Sequence, residues 1–92
     1  MTHKRKLKHI YPPVALLLYQ AYDNCDCYGS TKIVYECLFP FDYNLLFELA
    51  NMGVRIRYNT TNTFELVFFD LFSIVDRIYE NRMYCINLLN RP

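Results

Sequence analysis

The chain carries more large apolar side chains than a domain of its length can bury. It has 92 residues, of which 53% are hydrophobic and 17% aromatic, with nine Tyr and seven Phe. A domain this short keeps little interior relative to its surface. The surplus is expected on the outside as a contiguous apolar patch, and such patches mark contact with a partner. Tyrosine suits that role, because its ring can be buried while its hydroxyl still finds a hydrogen-bond partner.

The same composition narrows the class. Residues 10–92 are too apolar for intrinsic disorder, and the length fits one domain. The longest apolar stretches are Val14-Ala15-Leu16-Leu17-Leu18-Tyr19 and the segment from Phe64 to Val75, the latter cut by Glu65, Asp70 and Ser73. Neither reaches the roughly 20 apolar residues of a transmembrane helix, so no membrane partner is expected. Met1–His9 followed by Val14–Tyr19 has the outline of a secretion signal, but Pro12-Pro13 interrupts it and no small-x-small cleavage site follows. The expected location is therefore intracellular, cytoplasmic or nuclear. The wealth of Tyr, Phe, Asn and Ile, with few Gly and Ala, would suit an A+T-rich coding sequence, as in small viral, phage or organellar proteins.

Charge divides the chain. Lys4, Arg5, Lys6 and Lys8 fall in the first nine residues, leaving six basic against nine acidic residues in the rest, a body of −3. Residues 1–9 read as a basic arm on a mildly acidic globule spanning 10–92.

The periodicity predicts the order α-β-α-β-α, a small single α+β domain. Pro12-Pro13 suits a helix start, and Val14, Leu17, Leu18, Ala21 and Tyr22 share one helical face. Residues 24–31 read as a loop. Lys32 to Phe39 reads as a strand, closed by Pro40. Asp42 is placed to cap a second helix carrying Leu45, Leu46, Leu49 and Met52, with Gly53 at its left-handed end. Val54 to Tyr58 alternates as a strand, and the unit from 32 to 58 is long enough for a parallel crossover. Asn62 and Glu65 resemble a capping box, and Phe64, Val67, Phe68, Leu71, Ile74, Val75 and Ile78 then follow helical spacing. The alternative, a hairpin of 54–58 with 64–68 across the Asn/Thr turn, is disfavoured because Leu66-Val67-Phe68-Phe69 breaks strand alternation. A helix from Thr63 to Leu89 would be about 40 Å long, so a break near Asn81 is expected, with Met83–Leu89 as a short strand or last turns.

Candidate sites follow from surplus and charge. If the last helix runs as predicted, Phe69, Phe72 and Tyr79 lie off its core stripe, and with Leu16 and Tyr19 of the first helix they form the expected partner interface. The alternative site is nucleic-acid binding. It would use Lys4, Arg5, Lys6 and Lys8 with Arg55 and Arg57, the two strand arginines sharing a face with Tyr35 and Tyr58 for stacking. The plainer readings are a solubilising tail and a solvated face with salt bridges to Glu36 or Glu48. Cys25, Cys27, Cys37 and Cys85 fit buried reduced thiols better than disulfides or zinc, since Cys-x-Cys is a poor match to zinc-ligand spacing. Asn59-Thr60-Thr61 fits a glycosylation acceptor and fits a turn better.

Catalysis has no support in the residues. His3 and His9, the two histidines, are both on the arm, the carboxylates are scattered, and no Gly-rich phosphate loop occurs. The chain is expected to be non-enzymatic, without cofactor, metal or small-molecule substrate. Its expected role is a protein–protein interaction module, a structural or accessory subunit of a larger assembly or of a homo-oligomer.

Overall fold

The computed structural model describes the backbone of residues 3–10 and 12–89, and the side chains of 5–10 and 14–83. The elements are α1 (His3–Lys6) running into a 3-10 turn (Leu7–His9), α2 (Pro12–Asn24), β1 (Thr31–Glu36), α3 (Pro40–Asn51), β2 (Arg55–Thr60), β3 (Thr63–Phe68) and α4 (Leu71–Leu89). The class is α+β: helices packed on one face of a three-stranded antiparallel sheet of order β1-β3-β2.

Two expectations are corrected here. Residues 64–68 are a strand rather than the first turns of the last helix, and the disfavoured hairpin is the real one. Strands β1 and β2 run in the same direction but do not pair; β3 lies between them and is antiparallel to both. The spacing of Phe64, Val67 and Phe68 fits a helix, yet Phe64, Leu66 and Phe68 also alternate with Thr63, Glu65 and Val67. The sheet resolves the ambiguity, since as the central strand β3 finds backbone partners on both sides. Asn62 is accordingly a hairpin turn rather than a helix cap. It takes φ 60°, a left-handed conformation that Asn tolerates better than most residues. Its carbonyl accepts from the Cys37 amide at 2.7 Å.

The sheet is two-faced by its pleat. Ile33, Ile56, Leu66 and Phe68 point into the helix layer, while Lys32, Val34, Arg55, Arg57 and Glu65 share the outer face. Leu17, Leu18 and Ala21 of α2, Leu45, Leu46 and Leu49 of α3, and Leu71, Ile74 and Val75 of α4 close the core over the inner face.

The start of α4 is set by Asp70, whose carboxylate accepts from the Ser73 amide at 3.2 Å and the Ser73 hydroxyl at 2.7 Å. The helix then continues unbroken past Asn81 to Leu89. The basic segment read as an arm over residues 1–9 packs against the helices through its Leu7, with Ile10 following. Leu7 is fully buried, Ile10 is buried, and Lys6 Nζ donates to Asp76 Oδ1 of α4 at 2.6 Å. A buried leucine contributes about 2 kcal/mol, enough to hold a short segment that charge alone would leave in water.

Two glycines are required by geometry. After α3, Gly53 (φ 96°) donates to Ala50 O at 3.1 Å and Val54 to Leu49 O at 3.0 Å, a Schellman cap. Gly29 (φ 82°) lies where the α2–β1 loop meets α4, its carbonyl accepting from the Leu71 amide at 3.0 Å. A Cβ there would stand 2.9 Å from Leu71 N, whereas at Gly53 it would meet open space. Gly53→Ala should therefore cost about 1 kcal/mol from backbone strain alone. Gly29→Ala should cost about 2 kcal/mol or more, since the loop must also move. Urea denaturation of both variants checks the difference.

Candidate partner-binding surface

The chain between β1 and α3 is organised by one carboxylate. Asp42, in the first turn of α3, is buried. Its Oδ1 accepts from the Tyr35 hydroxyl at 2.6 Å, and its Oδ2 from the amides of Leu38 and Phe39, each at 2.8 Å. The capping role expected of Asp42 is present, exercised from inside the helix by reaching back over Pro40 to the residues before it. Burial pushes this carboxyl's pKa up, but the bonds from Tyr35, Phe39 and Leu38 together outweigh it and hold the group below its ordinary value. The same environment raises Tyr35, through burial first and then through the proton it donates to Asp42. Cys37 is raised by burial, with the Asp42 charge adding to it.

Fixing the 38–39 backbone in this way leaves its side chains outside. Leu38 and Phe39 are 66% and 57% exposed. The rings of Phe39 and Phe41 stack at 5.6 Å between centroids. With Leu16 and Gln20 of α2 and with Tyr35, they border an apolar groove of about 320 Å³. On the other flank of α3, Tyr43, Leu46, Phe47, Ala50, Ile56 and Phe64 line a second groove of about 280 Å³. Phe64 receives Tyr43 and Tyr58 edge-on, at 6.2 and 5.9 Å. The Tyr43 hydroxyl donates to Asn62 Oδ1 at 3.2 Å, which ties α3 to the hairpin turn. Phe47 and Tyr58 are each 71% exposed beside this groove.

Of the five residues expected at an interface, Leu16 alone joins this surface. Tyr19 is half-buried against the core. Phe72 is half-buried, packing edge-on against Tyr22 at 6.0 Å. Tyr79 is half-buried, meeting His9 edge-on at 5.7 Å with Lys6 Nζ at 5.5 Å. Phe69 is exposed but follows the outer-face residues of β3, with the Arg55 guanidinium 5.5 Å from its ring centre. The helical register assumed through 64–69 placed Phe69 and Phe72 together, and the strand separates them. Leu38, Phe39, Phe41, Tyr43, Phe47 and Tyr58, exposed on this surface, were not among the expected interface residues. A signal for three of them was present: Phe41, Tyr43 and Phe47 lie off the Leu45/Leu46/Leu49 stripe, where a solvated helix face carries polar residues.

The basic residues are not gathered. Arg55 and Arg57 do share a face, but Tyr35 and Tyr58 point to the opposite one, so the expected Arg/Tyr stacking face does not form. Arg57 and Lys32 flank Glu65 at 4.0 and 3.8 Å. Lys6 is paired with Asp76, Arg5 and Lys8 are exposed in the α1 segment, and the Lys4 side chain lies outside the described residues. The α1 segment packs on α4 and α2 in the helix layer, whereas the arginines project from the far side of the sheet. Cys25, Cys27 and Cys37 are free thiols, Cys25 donating to Tyr22 O at 3.1 Å; the Cys85 side chain lies outside the described residues. Asn59-Thr60-Thr61 is exposed at the end of β2. Among the described residues no helix is long and apolar enough to cross a membrane.

Comparison with protein-family models, with curated proteins and with solved structures finds no match to the chain.

Asp42 gives this surface a pH signature. A carboxyl held below its ordinary value stabilises the fold fully above its unfolded value near 4, and that contribution is lost as pH falls through the lower folded value. Asp42→Asn should therefore be less stable than the natural protein at pH 7, by about 2 kcal/mol, and the gap should close in acid. Denaturant midpoints of both proteins from about pH 7 down to pH 3 measure it; a gap independent of pH would exclude the charge as its source.

Proposed function

We propose that this chain is a non-enzymatic protein–protein interaction module, a small structural or accessory subunit that docks through the aromatic face of α3. The observation that carries the reading is the exposure of Leu16, Leu38, Phe39, Phe41, Phe47 and Tyr58 around two apolar grooves of one small domain. At about 150–250 Å² for a whole aromatic side chain, these residues expose on the order of 700 Å². Divided between the two flanks of α3, each share is within the roughly 300–600 Å² of the largest patch on a typical monomer, which is often functional; together they approach the roughly 800 Å² each partner contributes to a stable interface. Aromatic side chains around pockets are also the residues that dominate binding energy.

The matching partner chemistry is an apolar or aromatic segment of another protein. Few charges border the grooves, and the one carboxylate buried among the described residues, Asp42, commits both oxygens to neighbouring groups rather than to a ligand. An intracellular setting, viral or otherwise, accords with the reduced-thiol reading of the cysteines. Nucleic-acid binding remains the weaker reading, because the fold keeps the two basic sets on different layers.

Photo-crosslinking from the native source tests the proposal. A photoreactive phenylalanine analogue at position 41 or 47 should capture the same protein in high yield, and one at Lys8 should not. Equal capture from position 8, or none from 41 and 47, would overturn the reading. Phe47→Asp, kept folded by far-ultraviolet circular dichroism, should abolish capture from position 41.

A further inference from the structure

We propose that the free edge of β1 is a homodimer interface, where a second copy of this chain adds its own β1 antiparallel with Val34 facing the partner's Val34. The starting point is which backbone groups of β1 are unused. The Cys37 amide donates to Asn62 O at 2.7 Å, extending the β1–β3 register one pair beyond Glu36 and Thr63. In an antiparallel ladder the N–H and C=O of one residue point the same way, and the direction alternates along the strand. Ile33 and Tyr35 therefore bond β3, while Lys32, Val34 and Glu36 direct both backbone groups to the open edge. No backbone bond outside the ladder reaches those three among the described residues.

Two such edges can join only in registers that bring like-directed residues together. Centring on Val34 engages all three residues of both copies, about six hydrogen bonds at two per bonded pair. Shifting the centre by one residue either way loses one of those three pairs from the strand. The central register also sets Lys32 opposite the partner's Glu36, and Glu36 opposite the partner's Lys32. Opposite charges directly across strands stabilise pairing, and like charges oppose it. On the inner face, Ile33 meets the partner's Tyr35. The strand is thus complementary to itself in charge, in side-chain class and in backbone polarity.

The other edge lacks this match. Bringing the free groups of Ile56 and Tyr58 in β2 together sets Arg57 against the partner's Arg57. A register shift between Tyr58 and Thr60 also disrupts the strand. Like charges and bulges are how sheets avoid pairing with other chains; β2 has both, whereas β1 has no register shift, charges of opposite sign and an exposed valine at its centre. Pairing through β1 alone closes as a two-fold dimer. It joins two three-stranded sheets into one of six, with both helix layers on the same side. The β1 edge adjoins the first groove at Tyr35 and Glu36, whereas the second groove, at Phe47, lies apart from it, so Phe47 variants separate this proposal from the docking reading above.

Sedimentation velocity over about 1–100 μM, the range of moderate-affinity dimers, should show a monomer–dimer equilibrium. Val34→Pro removes an amide aimed at the open edge without touching the β1–β3 ladder, and should leave a folded monomer. Lys32→Glu should raise the dissociation constant about tenfold through two like-charge pairs, and Lys32→Glu/Glu36→Lys should restore it to within about threefold of the natural value. Hydrogen exchange should show the Lys32, Val34 and Glu36 amides protected in the dimer and open in Val34→Pro, with Ile33 and Tyr35 protected in both. A monomer throughout that range overturns the proposal while leaving α3 docking untouched. So does a dimer that survives Val34→Pro but is lost in Phe47→Asp.

Discussion

The Asp42 carboxylate is the interaction on which the rest of this surface depends. Taking an ionised carboxylate out of water costs several kcal/mol even after relaxation. Each hydrogen bond to a charged group returns about 1.5–3 kcal/mol, so the three from Tyr35, Leu38 and Phe39 offset that cost. Their combined effect appears as a carboxyl held below its ordinary value despite burial. The cluster joins the strand, the connection and the first helical turn into one rigid corner. Without it, the amides of Leu38 and Phe39 would need water or another acceptor, and α3 would lose its fixed angle to the sheet. Phe39 and Phe41 stack in the open because the backbone beneath them is held. Leaving rings exposed in a fixed array lowers the ordering cost that a partner would meet on binding.

The insertion of β3 between β1 and β2 sets the rest of the architecture. Because β1 and β2 do not pair with each other, β3 satisfies the facing backbone edges of both, antiparallel to each. Every helix then lies on one face. The opposite face keeps Lys32, Arg55, Arg57 and Glu65 in water, where the Glu65 carboxylate sits between two cations. Such exposed pairs contribute little to stability, but they keep a sheet face soluble. Leu7 and Ile10 complete the helix layer from the N-terminal side, which is why a segment of strong positive charge is nonetheless part of the folded body.

Much of this was legible in the residues. The α+β class, the helix after Pro12-Pro13, the helix opened by Asp42 and closed by Gly53, and the strand carrying Arg55 and Arg57 all follow from local chemistry acting over a few residues. What local chemistry could not resolve was the segment 63–70. Phe64, Val67, Phe68 and Leu71 satisfy a helical period, and Phe64, Leu66 and Phe68 satisfy a strand period. Only a partner strand on each side decides between them, and those partners are about 30 and 10 residues distant in the chain. The choice also bears on the candidate site, because which face Phe69 and Phe72 occupy depends on it. The packing of the basic segment was not legible for a related reason: Leu7 stands alone among cations, and its burial is a property of the packed helices.

The exposed aromatic surface is itself a consequence of how α3 is placed. A helix lying on a sheet buries one stripe, here Asp42, Leu45, Leu46 and Leu49. Its two flanks are closed in most domains by neighbouring helices or carry polar side chains. Here α2 and α4 are drawn toward the other side of the layer, where they pack with each other and with the N-terminal segment. The flanks of α3 are left as grooves, and the residues along them are Phe39, Phe41, Tyr43 and Phe47 rather than Lys or Glu. A chain selected only to fold would gain solubility from charges at those positions without loss of core packing. Tyr43 also serves the fold, through its hydroxyl to Asn62 and its ring against Phe64; the exposed rings of Phe39, Phe41 and Phe47 are the part of this surface on which the proposed docking rests.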